Sequence, residues 1–176
     1  MQGRTQAIAL LLASALTGCG SLPNRIVLFG QPTNCSGISE ESLLAGKESL
    51  GPTTSTDELH CAMNVARNAT HPTFIKSSIS AEVALHLAER QPHGPDREAL
   101  AAEGVKLAER AMASGGREDA AVHYYLAANL GLAINDHPVQ AAENLHRLEE
   151  ELNLAVKLSK AVDEGGPLRL LGMLYL

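Results

Sequence analysis

Apolar residues recur along most of this chain at the three-to-four-residue interval of amphipathic helices, and nowhere alternate with polar residues as in a half-buried strand. The spacing predicts a short helix beginning at Ser39 and stopping near Gly51-Pro52. A second starts at Thr56-Asp57-Glu58, with Thr56 or Ser55 as N-cap and acids in the first turn, runs to about Asn68 and breaks at His71-Pro72. A third covers Phe74 to Arg90, with Ile75, Ile79, Val83, His86/Leu87 and Arg90 in register. Asp96 to Ala113 repeats apolar or small residues at Leu100, Gly104, Leu107/Ala108 and Ala111, then stops at Gly115-Gly116. Glu118 to Ile134 carries almost no charge after its first turn, and a helix apolar all round must be buried. Pro138 opens a long helix to Val162 with Leu145, Leu148, Leu152, Ala155/Val156, Ser159 and Val162 on one face. Gly165-Gly166 ends it and Pro167 starts another. The predicted class is all-α.

The first residues follow a different pattern. Met1 to Gln6 carries a single charge, at Arg4, and an apolar run follows over Ala7–Leu16. That run is too short for a spanning helix, which needs about 20 residues, and suits the core of an export signal. It closes on Leu16-Thr17-Gly18-Cys19, which resembles the lipobox of bacterial lipoproteins. The resemblance implies cleavage before Cys19, lipidation of that residue, and acyl chains that hold the product to a membrane. Gly20, rather than Asp, implies the outer membrane by resemblance to the enterobacterial sorting rule. Residues 19–38, rich in Gly, Ser, Pro, Asn and Thr, read as a lipidated tether broken by a brief apolar run, Ile26–Phe29. Residues 39–176 form the helical domain.

Removing Arg4 with the signal takes the formal net charge from −6 to −7. A mildly acidic surface argues against nucleic acid as a partner and against electrostatic membrane binding. With Cys19 lipidated, Cys35 and Cys61 remain as a pair in an oxidising compartment. Two readings stand: a disulfide between the N-terminal arm and the first long helix, or two buried thiols. Neither cysteine sits in a CxxC, which argues against redox or zinc chemistry.

Two helices carry a large residue, then Leu-small three positions on, then a large residue again: His123, Leu126-Ala127 and Leu130, and Leu168, Leu171-Gly172 and Tyr175. This resembles the first helix of a tetratricopeptide (TPR) repeat, in which the small residue lets paired helices approach. The offset of 45 residues, from 126 to 171, exceeds the usual period of about 34 because the intervening helix is long. Asp96–Ala113 and Pro138–Val162 then serve as second helices, making TPR-like hairpin repeats in a solenoid or bundle. The segment Ala120–Gly131, together with Gly165-Gly166-Pro167-Leu168-Arg169-Leu170-Leu171-Gly172-Met173-Leu174-Tyr175, resembles the TPR-type lipoproteins known as the T component of TRAP (tripartite ATP-independent periplasmic) transporters. Coverage is roughly residues 56–176 plus the lipobox, and Leu168 stands where the family often has His. The resemblance implies a periplasm-facing scaffold that associates with a periplasmic substrate-binding protein and relays a small hydrophobic or organic-acid ligand. Because the family's chains continue through further helices, it also implies that this one is C-terminally incomplete, with apolar surface at Pro167–Leu176 that favours self-association.

Candidate chemistry adds little beyond this. The seven histidines lack metal-ligand spacing, so no metal site and no cofactor are expected. No nucleophile motif or catalytic carboxylate pair stands out, so an enzyme is not expected. His123, Tyr124, Tyr125, Asn129 and Arg169 are polar residues in buried-looking helices, readable as ligand or partner contacts or as satisfied core groups. Arg169 is placed to pair with Asp163 or Glu164 across the turn. Gly165-Gly166-Pro167 lacks the Lys-Ser/Thr of a phosphate loop and reads as a stop-and-restart between helices. A second functional expectation is a generic TPR scaffold for outer-membrane or secretion complexes.

Overall fold

A computed structural model of the chain describes Cys35 and residues 37–44, 50–51, 53–70 and 73–176. The predicted signal (1–18), the lipidation site Cys19, the run at 26–29 and the break at His71-Pro72 lie outside the described residues.

Among the described residues seven α-helices follow one another: α1 Glu40–Leu44, α2 Thr56–Asn68, α3 Thr73–Glu89, α4 Pro95–Ala113, α5 Ala120–Ile134, α6 Pro138–Leu158 and α7 Gly166–Leu174. Among the described residues there is no strand. Local chemistry sets the boundaries. Ser55, not Thr56, caps α2: its hydroxyl accepts from the Glu58 amide at 3.2 Å while the Glu58 carboxylate accepts from the Ser55 amide at 2.7 Å. Pro95, Pro138 and Pro167 each sit in a first turn, where a missing N–H costs nothing.

Two boundaries differ from the sequence expectation. Gly116–Glu118 forms a short 3-10 turn, and α5 starts only after Asp119, whose carboxylate accepts from the Ala121 amide at 2.8 Å. At the other end α6 stops at Leu158 rather than Val162. Ser159 turns extended and its hydroxyl accepts from the Ala161 amide at 3.3 Å, a local bond that competes with continuing the helix.

The short connections make successive helices neighbours: α3 packs on α4, α4 on α5, α5 on α6 and α6 on α7. In addition α3 touches α5, and α5 touches α7, directly. Helices α3, α5 and α7 therefore share one layer, with α4 and α6 in the other, which is the arrangement of stacked helical hairpins. The fold is all-α and repeat-like. Its centre is α5, buried without interruption from Val122 to Leu130. Helix α3 is nearly as enclosed, with Val83 to Ala88 all buried, because α2, α4 and α5 all pack on it. The α6 stripe is narrower than its pattern implies: Leu148, Leu152 and Ala155 are buried, but Leu145 is half exposed.

Cys35 and Cys61 are joined by a disulfide with Cα atoms 5.3 Å apart, so the end of the predicted tether is fixed to α2. Closing a loop across a separation of 26 residues contributes about 3 kcal/mol by limiting the unfolded chain. Ile38 packs on the core beside it. No described helix is long and apolar enough to cross a membrane.

Candidate functional site

Helix α5 presents three consecutive polar residues, and rotation of about 100° per residue sends them to three different elements. The His123 ring contacts Glu151 of α6 through Nδ1 at 2.6 Å, and its Nε2 donates to the Arg117 carbonyl at 2.8 Å. The Tyr124 hydroxyl donates to the Asp163 carboxylate, just before α7, at 2.5 Å. The Tyr125 hydroxyl lies near the Glu82 carboxylate of α3 and interacts with it electrostatically. Each polar tip thus captures a carboxylate on a neighbouring element. Burial, reinforced by these carboxylates, pushes both tyrosine hydroxyls far above their ordinary range, so they stay protonated.

Asn129 lies one helical turn beyond Tyr125 and is fully buried. Its amide donates to the Ala81 carbonyl of α3 at 3.0 Å and to the Tyr125 carbonyl at 2.8 Å. Its oxygen occupies the space that a Cβ on Gly104 of α4 would need, 2.1 Å from that position.

Arg169 holds the turn that leads into α7. Asp163 and Glu164 both adopt left-handed backbone conformations (φ 46° and 51°), unfavourable for residues other than glycine. The Arg169 guanidinium donates to the Glu164 carbonyl at 2.6 Å, to the Asp163 carbonyl at 2.8 Å and to the Asp163 carboxylate at 3.1 Å. Gly165 continues the left-handed turn at φ 87°. Gly166 lies against Tyr124 so closely that a Cβ would fall 2.5 Å from its hydroxyl oxygen, and Pro167 is buried behind it. Gly172 is different: it is exposed, with nothing near enough to explain a small residue. Among the described residues no helix covers that face of α7, so the reading of Gly172 as a crossing point finds no partner helix there.

The residues singled out as candidate contacts are therefore bonded within the fold. The pairing of Arg169 with Asp163 follows the sequence expectation, whereas Glu82 and Glu151 carry no sequence signal of their own. The histidines follow the same habit. His86, His93, His137 and His146 each lie against a carboxylate, of Glu89, Asp136, Glu98 and Glu150 respectively, at 3.1–3.4 Å.

A groove of about 380 Å³ is bounded by α5, α6 and α7. Ala128 and Gly131 of α5, Leu145 and Leu148 of α6, and Leu170 and Met173 of α7 line it, together with Asn135. A Cβ on Gly131 would meet only Leu148, at 3.8 Å, so this glycine deepens the groove. No protein-family model and no curated protein matches the chain.

Glu82 yields a test of the internal network. Burial raises its carboxyl above the ordinary value of 4.5, opposed by the Tyr125 hydroxyl and the nearby His86 charge and reinforced by Asp163. The folded state consequently holds a proton that the unfolded state has released, and that contribution to stability disappears as pH rises through the folded value. Thermal midpoints measured from pH 4 to 8 should show a decline above pH 4.5 that Glu82→Gln removes; identical pH profiles would show that Glu82 is not desolvated.

Proposed function

We propose that this chain is a lipid-anchored, periplasm-facing helical-repeat lipoprotein that holds a small, largely apolar organic ligand and presents it to a partner protein. The groove between α5, α6 and α7 carries this reading. Its volume of about 380 Å³ falls within the roughly 300–1,000 Å³ of small-molecule pockets, and a mostly apolar lining with one polar group suits such a ligand. The lipobox at Cys19 and the disulfide between Cys35 and Cys61 fit an exported chain in an oxidising compartment. The resemblance to TRAP T components belongs to the same proposal, with a periplasmic substrate-binding protein as the partner it implies.

Two measurements test the two halves of the reading. Labelling with a fatty-acid analogue should mark the wild-type chain and leave Cys19→Ala unlabelled and released from the membrane fraction. For the ligand, the fluorophore N-phenylnaphthylamine should brighten on binding the wild type. Gly131→Leu, which extends a side chain into the groove without meeting backbone, should abolish that signal and leave the helical circular dichroism unchanged. Undiminished fluorescence in Gly131→Leu would eliminate the groove as the site.

A further inference from the structure

Among the described residues, the two non-glycine positions with positive φ stand side by side in the loop that leads into α7. Asp163 (φ 46°, ψ 51°) and Glu164 (φ 51°, ψ 39°) are both left-handed, and Gly165 continues the turn at φ 87°. Side chains make that conformation costly, and a relaxed backbone at these positions would send α7 in another direction. The loop is held from two elements. Tyr124 of α5 donates to the Asp163 carboxylate at 2.5 Å, and Arg169 of α7 donates to the Asp163 and Glu164 carbonyls. Gly166 and Pro167 are buried, Gly166 against Tyr124, whereas the residues of α7 after them are half-buried or exposed. Two of those later residues, Leu170 and Met173, line the groove between α5, α6 and α7.

Backbone strain that persists only because neighbouring groups over-determine it marks switch and hinge segments. We propose that residues 163–165 are a strained hinge, latched from α5 by Tyr124, on which α7 moves to admit and release the ligand of the groove. With the latch closed, α7 completes one side of the groove. When the bond between Tyr124 and Asp163 parts, the backbone at 163–164 relaxes and α7 leaves α5 and α6. The burial of Gly166 and Pro167 keeps the latched state the populated one. A bound ligand touches Leu170 and Met173 only while α7 is in place, so binding favours the latched state. This use of the motion rests on the groove reading given above; the hinge itself rests on the loop.

Hydrogen exchange of the full chain, followed segment by segment, reads the hinge without any ligand. Freed from α5 and α6, a helix of nine residues is too short to persist, so each opening exposes its amides. The α7 amides should exchange far faster than those of α5, and low urea should barely change their rate, because a local opening exposes little surface. Glu164→Gly removes one strained residue, and the exposed Glu164 side chain takes no part in the latch. It should slow exchange across the whole of α7 roughly fivefold. Tyr124→Phe keeps the ring against Gly166, loses the latch hydroxyl, and should speed the same amides severalfold. Saturating N-phenylnaphthylamine should slow them in the wild type and not in Gly131→Leu. Exchange of α7 in step with α5, or indifference of α7 to Glu164→Gly as in simple end fraying, would overturn the hinge. Dye that binds without slowing α7 would overturn its role as a gate. Failure of the dye to bind would instead remove the groove reading and the gate with it, while the two variants still decide the hinge.

Discussion

Gly104→Ala is expected to destabilise the fold by about 3 kcal/mol, although alanine is the better helix former. The usual gain from replacing a helical glycine is at most about 1 kcal/mol. Against it stands the new methyl, which would be placed 2.1 Å from the Asn129 oxygen and 2.3 Å from its Cγ. The carboxamide cannot retreat freely, because its nitrogen is bonded to the carbonyls of Ala81 and Tyr125. Moving it breaks buried hydrogen bonds at about 1–3 kcal/mol each, and keeping it in place forces α4 away from α5 at a similar cost. In a chain of 176 residues this should lower the melting temperature by roughly 6–12 °C. The double variant Gly104→Ala with Asn129→Ala separates this account from a general intolerance of the site. It should be less destabilised than the sum of the single variants, since the second change removes the group with which the first collides. Strict additivity would disprove the contact.

This pair marks how far the sequence could be read. The helices were legible because their periodicity and punctuation are local: Ser55 with Glu58, Pro95, Pro138, and the glycines after Ala113. Burial of α5 was legible too, since a helix without a polar face has nowhere else to go. Its polar residues announced a need for partners but not their identity. Those partners are distant in sequence, 28 residues away for His123, 39 for Tyr124 and 48 for Asn129, and no local pattern encodes such pairings. The enclosure of α3 was hidden for a related reason. Its buried face mixes Ser77, Ser80 and His86 with alanines, so its depth follows from the helices packed on it rather than from its own hydrophobicity.

The turn before α7 was half legible. Gly165-Gly166-Pro167 marked a stop and restart, but the left-handed conformations at Asp163 and Glu164 run against local preference. They persist because Arg169 and Tyr124 hold the turn from both sides.

The same separation of roles explains the composition of the candidate site. α5 spends its polar side chains on α3, α4, α6 and the turn at 163–166, which fixes the register of the hairpins. The surface left over between α5, α6 and α7 is therefore almost purely apolar. A ligand in that groove would be recognised by shape and hydrophobic contact, with Asn135 as its polar contact among the groove-lining residues.

His123→Leu should be the other severe variant, lowering stability by roughly 3–5 kcal/mol, the range for removing one partner of a buried ionic or hydrogen-bonded pair. The ring side chain is 7 % exposed and that of Glu151 15 %, so neither can turn to solvent. Both groups facing the ring, the Glu151 carboxylate and the Arg117 carbonyl, are hydrogen-bond acceptors. Removing His123 leaves that carboxylate buried opposite leucine and the carbonyl without a donor. Glu151→Gln provides the control. The neutral ring can keep its Nε2 hydrogen on the Arg117 carbonyl and accept at Nδ1 from the glutamine amide, so this variant should lose only about 1 kcal/mol. Glu151→Ala, which leaves Nδ1 unpartnered and a void beside it, should fall between the two. Urea unfolding curves rank the three directly. Equal losses for Glu151→Gln and His123→Leu would mean that the charge itself, rather than the buried pair of hydrogen bonds, ties α5 to α6.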